Sequence, residues 1–301
     1  IGAGAVGGFY GALLSKAGHD VAFVARGAHL AALRSDGLRI ESGLGHVHVP
    51  VVRATDAPSD LGPCDMVWLC VKLRDSAEAI TSIRPLVGPQ TAVISFQNGV
   101  QKDDALREAF GPEAVMGGVG YIASHIGRPG VIVHTGTMQR LVFGEFDGRR
   151  SPRVGALLDA CTRAGIDAIV SDDIRKAIWE KFVFLVGLSA TTTTMRTTIG
   201  PIRQHPRARA LLLDVMREVL AVGRALGVAL PEDYAEQRLA FVDGLPETMT
   251  SSMHHDLSAG KPLEVSWLSG GVAQLGARAG VPTPLNRAVW DILALHEHGS
   301  R

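Results

Sequence analysis

The sequence predicts an α/β protein in which a doubly wound, mostly parallel sheet precedes a second, all-helical domain. Two continuous apolar runs, residues 66–71 and 91–96, have the length expected of strands buried on both faces of a parallel sheet. A helical segment at about 75–86 separates them, and strand–helix–strand repetition is typical of doubly wound sheets. From Asp172 onward almost every segment has helical periodicity.

The start of the chain supplies a helix, a strand and a second helix in that order. Small and apolar residues recur at helical spacing over 5–17 and stop at Gly18, a common C-cap residue. Residues 21–25 form an apolar strand, and residues 29–35 begin another helix.

The segment 114–146 changes character, because short strand-like pieces alternate with glycine turns. These pieces lie at 115–122, 131–134 and 140–146. We expect them to extend the same sheet, partly in antiparallel order. A helix at 152–164 and a short strand at 166–170 follow, so the predicted domains are residues 1–171 and 172–301.

Charge and composition exclude several classes of function. Lysine plus arginine and aspartate plus glutamate number 30 each, with 46% hydrophobic and 20% charged residues, as in ordinary globular proteins. This balance, without a basic cluster, argues against a nucleic-acid partner. The most hydrophobic stretch, 182–190, is far shorter than the ~20 residues that cross a bilayer, so no membrane association is expected.

The cysteines and the chain start bear on cellular location. Cys64, Cys70 and Cys161 have neither metal-ligand nor disulfide-framework spacing, and no charged leader precedes an apolar segment. Both observations favour a cytoplasmic protein. Ile1 has the character of the last residue of a strand, so we expect several strand residues upstream of this numbering. The helical half carries enough apolar residues for a homodimer interface, which the pattern does not locate.

A glycine-rich fingerprint follows Ile1 directly. Gly2, Gly4 and Gly7 match the G-x-G-x-x-G pattern, with Ala5 and Val6 between them. The first glycine permits a tight turn, the second lets a pyrophosphate approach the backbone, and the third lets helix and strand pack closely. The position between a strand end and a helix predicts a Rossmann-like dinucleotide site at these five residues, rather than an ordinary turn.

The residue after the second strand indicates the cofactor. Folds that select NAD usually carry an acidic residue there, whereas this sequence has Arg26. A guanidinium can hold a 2′-phosphate through paired donors, and Lys72, just past another strand, could reach the same group. The sequence therefore favours NADP(H), although each side chain could instead be a solvated surface charge.

Asn98 and Lys181 are candidates for chemistry. Asn98 follows the strand 91–96, where ligands of open α/β sheets bind, but Asn-Gly is also a favoured turn pair. Lys181 lies in a helix that is otherwise apolar nearly all round, where an amine is suited to protonating a developing alkoxide. The alternative is that it extends to the helix edge beside Glu180.

The segment 251–271 holds two further polar candidates, Ser252 and Glu264. On spacing alone, Ser252 could be a helix cap, and Glu264 is expected to open a helix, where an acidic residue complements the dipole. His254 and His255 are adjacent and point in different directions on a helix, so no metal site is expected.

Together these residues resemble the ketopantoate reductase (2-dehydropantoate 2-reductase) family. The likeness covers essentially the whole chain and is carried by an ordered set of motifs. They are the glycine-rich 2–8, Arg26, Val71-Lys72, Gln97-Asn98-Gly99, Trp179-Glu180-Lys181, Ser251-Ser252-Met253 through Asp256 and Gly260 to Glu264, and Val281-Pro282-Thr283-Pro284.

The resemblance implies a Rossmann domain, an all-helical domain and NADPH as cofactor. It implies that Lys181 is the general acid at a ketone oxygen and that Glu264 orients the reacting group. Asn98 would position nicotinamide and substrate, and Ser252 would bind the substrate carboxylate. The implied reaction reduces a 2-oxo acid, ketopantoate, to pantoate for coenzyme A synthesis.

Three positions depart from the family pattern. Where well-matched members carry asparagines four and eight residues after the lysine, this chain has Leu185 and Ser189, and a third asparagine is replaced by Ile199. Each unmet polar group of the substrate would cost about 1–3 kcal/mol. The alternatives are a paralogue that reduces a more hydrophobic 2-oxo acid and a non-catalytic NADPH-sensing regulator. An oxidative NAD-dependent hydroxy-acid dehydrogenase is disfavoured by Arg26.

Overall fold

The structure, a computed structural model, describes residues 1–299 and divides into two compact units. The first comprises Ile1–Asn98 and Lys102–Ala177, and the second comprises Gly99–Gln101 and the residues from Ile178 onward. The division falls inside one long helix. No helix among the described residues is long and apolar enough to cross a membrane.

The first unit is the α/β unit. Its strands are β1 (Ala22–Val24), β2 (Leu38–Ser42), β3 (Val47–Val49), β4 (Arg53–Thr55), β5 (Met66–Leu69), β6 (Ala92–Ser95), β7 (Val115–Arg128), β8 (Val131–Gly144) and β9 (Asp167–Val170). Its helices are α1 (Ala5–Lys16), α2 (Gly27–Asp36), α3 (Ser76–Ser82), α4 (Lys102–Phe110) and α5 (Pro152–Arg163). The predicted fold class is confirmed.

Seven strands form the main sheet in the order β3-β2-β8-β7-β6-β5, with β9 on β8. The pairs β5–β6, β6–β7, β2–β8 and β8–β9 are parallel, whereas β7–β8 and β2–β3 are antiparallel. The strands β1 and β4 pair separately and in parallel. Ile1 hydrogen-bonds as a strand residue does, since its carbonyl accepts from Cys70 N at 2.8 Å and Gly2 N donates to Val24 O at 3.0 Å.

The central strand β6 shows why the sequence has continuous apolar runs. All four of its residues are buried. Ala92 and Ile94 face one core, which holds residues of α1 and α5, while Val93 faces another core with residues of α3 and α4. Because successive side chains of a strand point to opposite faces, a strand covered by helices on both sides must be apolar throughout.

The hairpin of β7 and β8 differs from the predicted strand bounds. Two predicted pieces, 131–134 and 140–146, form one continuous strand, because Gly136 adopts a φ of 77° without ending the pairing. The register shifts between Ile122 and Ser124 accommodate the irregularity. The hairpin closes at Gly130, whose φ is 76°.

The second unit is helical over its described residues. After α6 (Ile174–Met195), which begins in the first unit, it contains α7 (Ile199–Gln204), α8 (Pro206–Ala225), α9 (Tyr234–Asp243), α10 (Ser252–Ser258), α11 (Ser269–Ala279) and α12 (Pro284–Leu293). Leu212, Val215, Met216 and Val219 of α8 are fully buried. Their spacing of three and four places one apolar stripe of the helix in the core of this unit.

Candidate active site

The glycine turn of the first unit requires glycine at its first and third positions. Gly2 has a φ of 84°, and a Cβ there would lie 2.8 Å from Val71 N. A Cβ on Gly7 would lie 2.4 Å from the carbonyl oxygen of Gly2 and 3.1 Å from the Cβ of Cys70. The turn, the start of α1 and the end of β5 are therefore packed too closely for any side chain at these positions.

The second glycine lies in a more open place. A Cβ on Gly4 would meet only Ile126 Cδ1, at 3.8 Å. Gly4 is also the N-cap of α1, no side chain caps this helix, and no acidic residue occupies its first turn. The backbone N–H groups at Ala5 and Val6 thus begin a helix whose positive dipole end suits an anionic group. This arrangement fits a dinucleotide pyrophosphate.

His29 of α2 holds the glycine turn in place, a role that the sequence gave no signal for. Its Nε2 lies 2.7 Å from the carbonyl oxygen of Ala3, and its Nδ1 accepts a hydrogen bond from Gly130 N at 3.1 Å. Because Nδ1 accepts, Nε2 must carry the proton and donate to Ala3. The neutral imidazole therefore links the glycine turn to the β7–β8 hairpin.

Arg26 is the N-cap residue of α2 and forms an ion pair with Glu78 of α3. Its two terminal nitrogens donate to the Glu78 carboxylate at 2.6 and 3.3 Å, and both side chains are about two-thirds exposed, at 67% and 64%. The hydrogen bond to Glu78 raises the pKa of Arg26. Lys72, half-buried, follows β5 and precedes the 3₁₀ turn Leu73–Asp75.

Gln97 joins the carboxyl ends of β5 and β6. Its amide nitrogen donates to Val71 O at 2.9 Å and to Ser76 Oγ at 2.7 Å, while Ser95 Oγ donates to its amide oxygen at 2.9 Å. These bonds bring the loop that carries Lys72 beside the loop that carries Asn98. The parallel pairing of β5 and β6 puts both loops at the same edge of the sheet, as the sequence predicted.

A buried ion pair lies one turn beyond Asn98. Lys102 Nζ donates to Ser95 O at 2.9 Å and to the two carboxylate oxygens of Asp103 at 2.7 and 2.9 Å. The side chains of Lys102 and Asp103 are only 1% and 5% exposed. Burial raises the pKa of the Asp103 carboxyl although Lys102 opposes that change. Gly99, between Asn98 and this pair, has a φ of 100°, which also supports the turn role of Asn-Gly.

In the second unit, Lys181 lies on α6 among apolar neighbours. Lys181 is half-buried, whereas Trp179, Phe182 and Val183 are 4%, 1% and 0% exposed. The structure therefore confirms an amine on a largely apolar helix. Tyr234 donates through its hydroxyl to the carbonyl oxygen of Glu180 at 3.3 Å, which anchors this part of α6 to α9.

The three positions that depart from the expected asparagines are buried to different extents. Leu185 is half-buried and packs against the core of the second unit. Ser189 is 1% exposed, and its hydroxyl has no hydrogen-bond partner among the described residues. Ile199 is fully buried in the same core. Two of these positions, Leu185 and Ile199, therefore lie in apolar surroundings.

The two serines at the start of α10 have different roles. Ser251 is the cap, because its Oγ accepts from His254 N at 3.1 Å and lies 3.0 Å from Thr192 Oγ1. Ser251 is buried, whereas Ser252 is exposed at the first position of the helix. The alternative that Ser252 is the helix cap is wrong, because Ser251 caps the helix.

Glu264 does not open a helix, so that expectation is corrected. Its carbonyl accepts from the N–H groups of Trp267 and Leu268, both at 3.1 Å, which closes a single turn. Leu268 has a ψ of −100°, outside the helical region, and α11 therefore begins only at Ser269. Glu264 itself is buried, with 5% exposure. A buried carboxylate must be held by hydrogen bonds or charge partners, which gives it a fixed orientation.

Comparison with known proteins places these features in one family. Residues 1–148 match the family described as ketopantoate reductase PanE/ApbA, and residues 173–297 match the C-terminal part of that family. The chain belongs to the ketopantoate reductase family. It is therefore an oxidoreductase, as the resemblance in its sequence implied.

The similarity of this chain to its relatives in the ketopantoate reductase family covers nearly its whole length. A 2-dehydropantoate 2-reductase of Mesorhizobium japonicum is 35% identical over 96% of this chain and 94% of its own. The oxidoreductase YkpB of Bacillus subtilis is 30% identical over 99% and 97%. A crystal structure of 2-dehydropantoate 2-reductase from Geobacter metallireducens is 33% identical, covers 98% of both chains and superposes with a TM-score of 0.91.

A further structural neighbour shares the fold of this chain at low sequence identity. D-mandelate dehydrogenase with NADH superposes with a TM-score of 0.87 at 19% identity, over 98% of this chain and 97% of its own. The same fold therefore accommodates NADH in another protein. Within the described residues, no group of three or more histidine, cysteine, aspartate or glutamate side chains could hold a metal ion.

Proposed function

We propose that this chain is an NADPH-dependent reductase that converts a 2-oxo acid to a 2-hydroxy acid. The first candidate substrate is 2-dehydropantoate, reduced to pantoate in pantothenate and coenzyme A biosynthesis. One observation carries the redox part of the proposal: Gly2 and Gly7 leave no space for a Cβ, while Gly4 leaves the backbone open. This pattern fits a pyrophosphate cradle, and the family membership supplies the reaction class.

The cofactor would be held at the glycine turn and by the basic side chains after two strands. Backbone N–H groups from Gly4 to Gly7 would bind the pyrophosphate, and Arg26 and Lys72 would bind the 2′-phosphate. Bound NADPH supplies a hydride. Asn98 would use its side-chain amide to position the nicotinamide and substrate. The neighbouring Gln97 holds this loop through its hydrogen bond to Val71 O.

Lys181 is proposed as the proton donor to the ketone oxygen. Reduction places negative charge on that oxygen, and an ammonium group nearby stabilises the charge and transfers a proton. Lys181 is half-buried on a helix whose residues Trp179, Phe182 and Val183 are buried, and partial burial of an amine favours this role. Glu264, held rigidly by burial, would orient the reacting group, and the exposed Ser252 would bind the substrate carboxylate.

A different 2-oxo acid is the second candidate, and a specific observation favours it. Leu185 and Ile199 pack in the apolar core where amide groups were expected from the family. A substrate with an apolar 3-substituent would lose less binding free energy there than one that carries a hydroxyl. Each hydroxyl left without a partner costs about 1–3 kcal/mol.

A panel of 2-oxo acids tests both candidates at once. NADPH oxidation should be measured with 2-dehydropantoate, 2-oxoisovalerate, phenylpyruvate and pyruvate. We expect turnover with at least one, and the ratio of kcat/KM between the first two distinguishes the candidates. A folded protein that binds NADPH but oxidises it with none of these acids is the result expected of a sensor, and it would refute catalysis.

The role of Lys181 has its own test. Lys181→Ala should lower kcat by about 100-fold or more, as expected for loss of a general acid, with NADPH affinity within about twofold. Lys176→Ala, on the same helix, is the matched control and should keep its activity. An unchanged kcat in Lys181→Ala would show that this amine does not donate the proton.

The proposal places the enzyme in the cytoplasm and as a homodimer. Phe241, Ile292 and Leu295 of the second unit are exposed at 43%, 61% and 90%, which is apolar surface that a second copy would cover. Multi-angle light scattering should give twice the chain mass of 31.8 kDa. A monomer at micromolar concentration would refute the proposed homodimer.

A further inference from the structure

The ion pair between Arg26 and Glu78 occupies the group that is proposed to bind the 2′-phosphate. Both terminal nitrogens of Arg26 point to the two oxygens of one carboxylate, at 2.6 and 3.3 Å. A carboxylate and a phosphate compete for the same paired donors of a guanidinium. The ion pair between Arg26 and Glu78 is therefore expected to affect which nicotinamide cofactor binds more tightly.

The pair is held loosely enough to exchange partners. Both side chains are about two-thirds exposed, and exposed ion pairs are weak because water and salt screen them. Asp75, which also acts electrostatically on Arg26, is paired with Arg74, with its Oδ1 3.7 Å from the Arg74 Nε. Glu78 is thus the carboxylate that Arg26 must leave when it binds a phosphate.

The consequence differs between the two nicotinamide cofactors. A 2′-phosphate carries close to two negative charges, so it must displace Glu78 and then remain beside its carboxylate. The 2′-hydroxyl of NADH carries no charge and can donate a hydrogen bond to an acidic residue at this edge of the sheet. Glu78 therefore opposes NADPH more than NADH.

We propose that Glu78 is a specificity-determining residue that lowers the preference of this enzyme for NADPH over NADH. The inference rests on the proposed function, because it assumes that the glycine turn and Arg26 bind the cofactor. It adds that selectivity depends on a residue in α3, rather than on Arg26 and Lys72 alone.

The test measures dissociation constants of NADPH and NADH by fluorescence titration of the whole chain. Glu78→Gln should raise the ratio of the NADH constant to the NADPH constant by about 3- to 10-fold at low salt, and less at 0.5 M NaCl. Because Glu78 is exposed, this variant should fold normally. A ratio that is unchanged or lower would overturn the proposal.

Two controls separate this inference from the cofactor assignment. Glu113→Gln removes the carboxylate of another exposed pair, 3.0 Å from Arg149. Glu113 precedes β7 and so lies at the opposite edge of the sheet from the loop after β5. The ratio of the NADH and NADPH dissociation constants should therefore not change in Glu113→Gln. Arg26→Met should weaken NADPH about 10-fold or more and NADH little. If Arg26→Met changes neither constant, the cofactor assignment has failed, whereas an effect of Arg26→Met alone rejects only the role of Glu78.

Discussion

The different environments of Gly4 and Gly7 predict opposite outcomes for the same substitution. In Gly7→Ala the new Cβ would lie 2.4 Å from the carbonyl oxygen of Gly2, about 1 Å short of an ordinary contact. The obstacle is backbone, so neither side can yield by rotating a side chain. In Gly4→Ala the nearest atom is Ile126 Cδ1 at 3.8 Å, which is an ordinary contact.

The magnitude follows from opposing terms. Overpacking costs about 1–3 kcal/mol, and alanine regains about 0.5–1 kcal/mol of helix stability relative to glycine. Because the clash at position 7 involves backbone, we expect a net loss of about 2 kcal/mol and a Tm lower by about 4–8 °C. Gly4→Ala should change the free energy of unfolding by less than about 0.5 kcal/mol. Its methyl group should instead weaken NADPH binding about 10-fold or more.

Thermal unfolding followed by circular dichroism, with NADPH titration of the same samples, measures both effects. Gly7→Ala should lose stability and, with it, cofactor affinity, whereas Gly4→Ala should lose affinity alone. If Gly7→Ala melts at the wild-type temperature, the packing argument is wrong. If Gly4→Ala binds NADPH like the wild type, the pyrophosphate does not approach the backbone at that position.

Three further predictions concern buried groups. Lys102→Met should lower the free energy of unfolding by about 3–5 kcal/mol, because it leaves the Asp103 carboxylate buried without its partner; a urea titration showing a loss below about 1 kcal/mol contradicts this. His29→Ala should raise the NADPH dissociation constant about 3- to 10-fold by releasing the Ala3 carbonyl, and equal affinity in a titration would show that the turn needs no support. Burial raises the pKa of the Cys161 thiol to about 12, so the folded state keeps a proton that the unfolded state loses above about pH 8.5. Stability should therefore fall as pH rises from about 9 towards 12, and this thiol should contribute up to about 1.4 kcal/mol per pH unit. Cys161→Ala should make that slope shallower in chemical denaturation at pH 8–11, and a slope equal to that of the wild type would contradict the prediction.

The strands that the sequence predicted well are those with helices on both faces. Continuous burial forces an apolar run, which is why β5 and β6 were evident. The strand β2 was missed although Leu38, Ile40 and Ser42 alternate in burial with Arg39 and Glu41, so that a signal of period two was present. The strands β3 and β4 have three residues each and are too short for any periodicity to show.

The candidate site divides in the same way. The glycine positions follow local geometric rules, so the spacing alone predicted the tight turn at Gly2 and the close packing at Gly7. The ion pair of Arg26 joins residues 52 positions apart, and no local pattern encodes such a contact. Glu264 was misplaced at a helix start because a proline break predicts where a helix cannot continue, not where the next one begins.

The imidazole of His29 has a consequence for how this protein tolerates change. The histidine spans the glycine turn and a hairpin residue 101 positions away in the chain. A substitution that shifts the peptide at Gly130 would be transmitted through one ring to the carbonyl of Ala3, without touching the cofactor. Substitutions near Gly130 in that hairpin should therefore be screened for altered nucleotide affinity.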